Sequence, residues 1–344
     1  MQYYTTFFDI NYLSRGLALW GSLNKESKQP FVLYILCLDE DVFNYFEKNN
    51  TLNVKTIKLA NIENKYPILK SSKENRKNYE YYFTLKSFLC LYILETNPTV
   101  EQITIMDADL LFFDDPYKII DYYKQYSILI TPHLFPDRIK HFEINGKYNA
   151  GFQSFKNDQY GLKCLRVWAN NCAEWCFDYY DNVNQRYADQ KYIDRWMEEN
   201  ENIVSIELMG AGIAPWNIER YNINYSNNKP FIGKDPVIYY HYHGLRKINT
   251  YFFSHCLNEY GVSYKKNPIK LYKAYIKQLK LFNQNSSDSV TRINVKKDNL
   301  LNTLLNTNGV YFLSPLISFE INFMEIHFKL SKIKIRMKTL FTIK

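Results

Sequence analysis

Glycine is scarce in this chain, 11 of 344 residues, and only Gly16 falls in FFDINYLSRG, the stretch that follows the first apolar run. A phosphate-cradling loop of closely spaced glycines is thereby excluded at that point. No run of about 18 apolar residues occurs, so no membrane-spanning helix is expected. The amino end, MQYYTTFFDI, has neither a basic start nor a cleavable apolar region, and no secretory signal is read there. Cysteine is limited to Cys37, Cys90, Cys164, Cys172, Cys176 and Cys256, without a Cys-x-x-Cys pair. That pattern reads as buried reduced thiols, and the expected compartment is the cytoplasm.

What is present points to a large core. Hydrophobic residues make up 46 % and aromatics 17 %, enough for one large α/β domain plus an appendage. The net charge of +8 is unevenly placed. From Lys265 onward 15 Lys and Arg face 4 Asp and Glu, whereas the first 264 residues carry 28 against 31. Two parts are expected, a near-neutral main domain over 1–264 and a basic carboxyl-terminal extension over 265–344. Nucleic acid is not an expected partner, because the main domain has no basic excess.

Apolar spacing sketches the main domain. YYTTFF (3–8), FVLYILCL (31–38), LNVKTIKL (52–59) and QITIM (102–106) read as strands. Between them, Leu13, Leu17 and Trp20, then Val42, Phe43 and Phe46, then YYFTLKSFLCLYILE (81–95) read as helices. This alternation predicts a mostly parallel sheet covered by helices on both faces. In such sheets ligands sit beyond the carboxyl ends of the strands. Asp107 and Asp109 fall there, in ITIMDADLLFFDDPY (103–117).

Ionised carboxylates at the end of an apolar strand need a partner. Asp115, before Pro116, is the better helix cap, which leaves the earlier pair without a structural task. Two acids at i and i+2 after a strand can reach a hard divalent cation through a tight turn. VIYYHYHGLR (237–246) adds His241 and His243 at the end of a further strand. Imidazole beside carboxylates favours Mn²⁺, with Mg²⁺ as the alternative.

The motifs DINY, FTLK, MDADLLFF, YNAGFQSF, ADQKYIDRW, GAGIAPWN and YYHYHGL follow one another between residues 3 and 246. In that order they resemble metal-dependent glycosyltransferases of the GT-A fold. The chain is similar to glycosyltransferase family eight and to bacterial enzymes of surface-polysaccharide (lipopolysaccharide and capsule) gene clusters. The resemblance implies a GT-A catalytic domain, 1–264, that takes a sugar from a nucleotide-diphosphate donor, with uridine as the expected base. A glycan or lipid-linked glycan is the implied acceptor.

The resemblance also assigns roles. Asp107 and Asp109 are implied metal ligands with Ala108 between them at the substrate, and His243 is the implied third ligand, from a His-x-x-Gly motif. Asp9, Asn11 and Tyr12 match the segment that holds the base, and Lys86 matches a cation near the sugar diphosphate. Asn149 and Gly151 match a segment that contacts the donor sugar; glycine admits close backbone approach and the amide can donate and accept at hydroxyls. Asp189 and Gln190 match an acid–amide pair at the reacting carbon. Trp216 is expected in a loop over the cleft, stacking on a sugar or an acceptor. Gly244 belongs to the phosphate loop, where HGLRKIN replaces the usual Lys-Pro-Trp ending and leaves Arg246 or Lys247 to substitute.

Retention of anomeric configuration is implied, through Asp189 as a nucleophile or through a same-face route beside Gln190. Two other readings compete. A sugar-1-phosphate nucleotidyltransferase needs the glycine-rich loop that is missing. An inactive carbohydrate-binding protein has little reason to keep Asp107, Asp109, Asp189 and His243 together. In the tail, KKNPIKLYKAYIKQLKLF carries Ile269, Tyr272, Ile276 and Leu279 at helical spacing among lysines. This helix, and HFKLSKIKIRMK further on, are expected to lie on an anionic bilayer at the inner membrane, with NQNSSDS as a linker between them.

Overall fold

Seven strands in the order β3-β2-β1-β4-β7-β6-β8 form the central sheet. They are β1 (Gln2–Phe8), β2 (Phe31–Cys37), β3 (Val54–Lys58), β4 (Gln102–Met106), β6 (Ile128–Pro132), β7 (Tyr148–Lys156) and β8 (Ile203–Ser205), with β5 (Leu110–Phe112) lying outside the sheet. The computed structural model describes residues 1–247, 252–262, 268–283, 310–313 and 318–321. Strands β1 to β4 are mutually parallel, as expected. Beyond β4 the sheet is mixed: β7 is antiparallel to β4 and to β6, and β8 is parallel to β6.

Helices α1 (Leu13–Glu26), α2 (Glu40–Asn49), α3 (Leu59–Lys65), α4 (Ile68–Glu74) and α5 (Asn78–Thr96) link the parallel strands. Short α6 (Tyr117–Tyr122), long α7 (Gln159–Glu174) and short α8 (Trp196–Glu199) follow. Asp115 takes its expected part at the start of α6, accepting from Tyr117 N at 3.1 Å.

Alternation along the strands sorts side chains onto two faces. Tyr34, Leu36, Ile103 and Ile105 join a core with Leu85 and Leu89 of α5 and Trp168 of α7. Leu33, Ile35 and Met106 join the opposite core with Leu17 of α1 and Phe46 of α2. Buried Arg76 donates to Cys172 O and Ala173 O at 2.6 Å each, satisfying carbonyls that the end of α7 would otherwise leave orphaned. All six cysteines are free and buried, as expected.

A small antiparallel sheet of β9 (Ile223–Ser226), β10 (Lys229–Ile232) and β11 (Asp235–Pro236) precedes β12 (Tyr239–His241), which pairs antiparallel with β5. Chain contacts divide the molecule into two compact units, Met1–Tyr242 with Pro268–Asp288, and His243–Asn267 with Ser289–Lys344. The division differs from the expected boundary at 264/265. In the second unit, β13 (Arg246–Lys247), β14 (Phe252–Ser254), β15 (Val310–Leu313) and β16 (Ser318–Ile321) form an antiparallel sheet.

Residues 268–283 return to the first unit because α9 (Ile269–Asn283) packs on α1. Leu271, Tyr272, Tyr275, Ile276 and Leu279 are buried. Phe282 meets the Trp20 ring edge-on at 6.3 Å, and Tyr242 OH donates to Leu271 O at 2.8 Å. The apolar face expected to meet lipid is therefore occupied by protein, and the amphipathic spacing reflects packing. HFKLSKIKIRMK and most of NQNSSDS lie outside the described residues. No helix among the described residues is long and apolar enough to cross a membrane.

A chain ended at residue 264 would expose the face that α9 covers. Five buried apolar side chains at about 1.5–3 kcal/mol each are lost, so its melting temperature should fall by at least about 10 °C, with new binding of a hydrophobic dye. An unchanged melting curve would contradict this packing.

Candidate functional site

Asp107 and Asp109 stand where expected, on the turn between β4 and β5. Asp107 N donates to Gly151 O at 2.8 Å, and Leu110 N to Asp107 O at 3.2 Å, so the turn is fixed by backbone before any ligand arrives. Both carboxylates are partly open, at 27 % and 13 % side-chain exposure. One oxygen of each and a nitrogen of His241 lie within 4.8 Å of one another, a group able to hold a metal ion. His241 Nε2 is 3.1 Å from Asp109 Oδ1 and 3.9 Å from Asp107 Oδ2.

His241, rather than His243, is thus the histidine of this cluster. The register is the reason: β12 pairs His241 with Leu110 at the start of β5, directly after the turn, and Tyr242 N donates to Asp109 O at 2.9 Å. His243 belongs to the second unit, exposed, with its ring 6.5 Å from that of Tyr260. Period-two alternation puts the two histidines on one face and cannot separate them. The sequence does hold a signal that was missed, since His-x-x-Gly counted back from Gly244 begins at His241.

Lys86 of α5 is buried beneath the pair. Its Nζ lies 2.9 Å from Asp107 Oδ1, 2.9 Å from Ala150 O and 3.4 Å from Asp189 Oδ2. Burial works against the ammonium, but the two carboxylates outweigh it and hold Lys86 above its ordinary value. For Asp189, burial raises the carboxyl, Lys86 opposes and Asp107 adds, with a net upward shift. Asp189 is preceded by Ala188 at φ 44, a left-handed conformation that costs a non-glycine residue about 1–2 kcal/mol. A paired turn, Asp181 N to Arg186 O at 2.9 Å and back at 3.3 Å, anchors the loop that carries this strain.

The remaining expected residues fall into two groups. Near the turn, Arg15 lies 4.2 Å over the Tyr12 ring. Burial raises the Tyr12 hydroxyl, Arg15 opposes, and Asp109 and Asp107 add to the rise, so Tyr12 is within their electrostatic reach. Asp9 accepts from Asn11 N at 3.1 Å. Asp39 ties that segment down, taking Ile10 N at 2.7 Å while capping α2 through Val42 N at 2.9 Å. Ala108 is in the core, so its side chain is not a ligand contact.

The second group is occupied by the fold itself. Asn149 is buried, donates to Thr131 O at 3.2 Å and accepts from Gly151 N at 3.0 Å, so its amide orders β7. Any Cβ on Gly151 would meet His241 Cε1 at 2.8 Å; the absent side chain seats the histidine. Trp216 is 3 % exposed and sets its edge against His241 at 5.2 Å and His133 at 5.0 Å, which makes it a wall behind the cluster rather than an open platform for a sugar. Gln190 donates to Asn145 O at 2.9 Å. Gly244, at φ 72, is explained within the second unit, where a Cβ would meet Cys256 Sγ at 2.5 Å.

Burial lowers His241, yet Asp109 and then Asp107 prevail and raise it above its ordinary 6.5. Without metal, this pairing stabilises the fold fully below pH 6.5, and the contribution is lost as pH rises through the raised value. A metal needs the neutral ring, so Mn²⁺ affinity should increase with pH over the same window. His241→Ala should weaken Mn²⁺ binding at least about tenfold and flatten that dependence, whereas His243→Ala should keep both. Equal losses in a calorimetric Mn²⁺ titration would contradict the assignment.

No family model matches the chain. Among solved structures, that of the galactosyltransferase LgtC with donor and acceptor sugar analogues superposes with a TM-score of 0.54 at 13 % identity, covering 87 % of this chain and 99 % of that one. The likeness is one of fold, and the fold is GT-A. Two proteins of Bacillus subtilis (strain 168) are similar in sequence. The uncharacterized protein YfnD is 27 % identical over 279 residues, 81 % of this chain and 88 % of that one. The uncharacterized protein YfnF is 30 % identical over 254 residues, 72 % of this chain and 82 % of that one. At that identity and coverage, this chain belongs to the family of YfnF.

Proposed function

We propose that this chain is a metal-dependent glycosyltransferase, moving a sugar from a nucleotide-diphosphate donor, expected to be a uridine diphosphate sugar, to a hydroxyl of a glycan. One observation carries the reading: Asp107, Asp109 and His241 converge at the carboxyl end of β4, with Lys86 and Asp189 one contact behind them. The donor and acceptor sugar analogues in the LgtC structure support the ligand class.

The donor atoms fit a divalent ion. Two carboxylate oxygens and an imidazole nitrogen gathered within 4.8 Å suit Mn²⁺, and the partly open carboxylates leave room for ligand oxygens. Once bound there, the ion would supply Lewis acidity to the departing diphosphate.

The chain's own groups do the rest. Tyr12, braced by Arg15, offers its exposed ring to the base. Asp189 is the acid that faces the sugar, and Lys86 opposes the burial that favours its neutral form. Retention then follows from two displacements. Asp189 attacks the anomeric carbon as the bond to the diphosphate oxygen breaks; the acceptor oxygen next displaces the Asp189 carboxylate, its proton passing to the departed diphosphate. Gln190, whose amide nitrogen donates to Asn145 O, positions the loop beside it.

Hydrolysis of a panel of uridine diphosphate sugars, with Mn²⁺ or with a chelator, tests the reading. Asp109→Asn should lower turnover at least about 100-fold. Lys86→Met should lower it as well and shift the acidic limb of the pH profile upward, because Asp189 loses the cation that opposes its raised value. Full activity in chelator, or an unshifted profile in the lysine variant, would contradict the roles given.

A further inference from the structure

A cavity of about 470 Å³ opens on the first unit, apart from the metal cluster. That volume is within the size range of ligand pockets. The end of α7 forms one wall with Asn171 and Glu174, the loop tip 183–186 forms a second, and residues 191–199 form the third. Lys191 and Tyr192 are among its lining residues, so the cavity begins one residue beyond the pair Asp189 and Gln190.

Its walls are fixed by contacts inside the protein. The Arg186 guanidinium lies 4.8 Å over the Trp175 ring. It donates to Asp181 Oδ2 at 2.8 and 3.1 Å and to Glu174 Oε1 at 3.2 Å. Tyr192 OH donates to Trp175 O at 2.8 Å and to Asn171 O at 3.2 Å, which holds its ring against α7.

The lining says what fits. Asp181 and Glu174 offset Arg186, and Asp194 offsets Lys191 at 2.9 Å. Arg195 and Glu199 remain, one of each sign. A phosphate site would need a surplus of cations, and the acids here do not form a metal-holding group. What the cavity does offer is amides. Those of Asn171 and Gln185 make no hydrogen bond among the described residues, whereas the Asn184 amide nitrogen is taken by Asp181 at 2.8 Å. Groups that both donate and accept, without net charge and beside a tyrosine ring, match the hydroxyls and ring carbons of a neutral sugar.

We propose that this cavity is a second saccharide site, which takes a neutral sugar unit of the glycan substrate away from the reacting hydroxyl. Assigning that sugar to the substrate rests on the proposed function; the binding of a neutral saccharide does not.

Calorimetric titration and saturation-transfer NMR of the full chain with lactose, cellobiose, maltose and N,N′-diacetylchitobiose compare the parent protein with Asn171→Ala and Asn171→Phe. Asn171 is half-buried on α7, and both changes keep the backbone carbonyl that Tyr192 uses. At least one disaccharide should bind the parent in the millimolar range, with equal affinity in saturating Mn²⁺ and UDP. Asn171→Ala should weaken it about 3- to 10-fold, and Asn171→Phe, which fills the cavity, should abolish it. Hydrolysis of uridine diphosphate sugars should stay at the parent rate in both. Absence of binding to the parent overturns the proposal, as does affinity that Asn171→Ala leaves intact. Competition by Mn²⁺ and UDP also overturns it, by moving the disaccharide into the donor cleft. A parent that binds a disaccharide but hydrolyses no uridine diphosphate sugar overturns the proposed function while the saccharide site holds, so the two failures are distinguished.

Discussion

An ammonium group taken out of water is tolerated only where oxygens replace its hydration, and Lys86 is buried where Asp107, Asp189 and Ala150 O do so. Four parts of the chain meet at that nitrogen: α5, the end of β4, β7, and the loop before Gln190. Removing either carboxylate would leave a buried charge imbalance of the kind that costs about 3–5 kcal/mol. The arrangement explains why the loop accepts the left-handed backbone of Ala188. It also sets the Lys86 ammonium against the burial that raises Asp189.

Around this point the histidine is placed by exclusion as much as by attraction. Gly151 gives up its side chain to the imidazole, Trp216 packs against the same ring, and the pairing of β12 with β5 fixes the height at which His241 meets the turn. Strand pairing outside the central sheet therefore sets the histidine of the cluster, while the parallel half of the sheet supplies the segment of Asp9, Asn11 and Tyr12. Asp39 joins the two loops of that half through Ile10 N and Val42 N.

Much of this was legible in the residues. The parallel strands, α1, α2 and α5, the two carboxylates at a strand end and the buried thiols all follow from local pattern, and the family resemblance singles out Lys86 and Asp189, which the fold brings into contact. Other features depend on tertiary pairing that no local pattern encodes. His241 and His243 share a strand face, so only the register with β5 distinguishes them. Asn149 and Trp216 have side chains suited to sugars, yet both are spent inside the protein. The lysine-flanked apolar spacing of α9 looks the same whether the face meets lipid or protein; the contacts of Phe282 with Trp20 of α1 and of Tyr272 and Tyr275 with Tyr242 identify the partner. Arg15 carried no sequence signal at all.

The central claim is that Asp107, Asp109 and His241 hold a divalent ion to which a nucleotide diphosphate is bound. A crystal grown with Mn²⁺ and UDP, with data collected at the manganese absorption edge, tests it most directly. The account predicts one anomalous peak bonded to both carboxylates, to His241 Nε2 and to diphosphate oxygens. A peak bonded elsewhere, or a diphosphate bound away from Asp107 and Asp109, would contradict it.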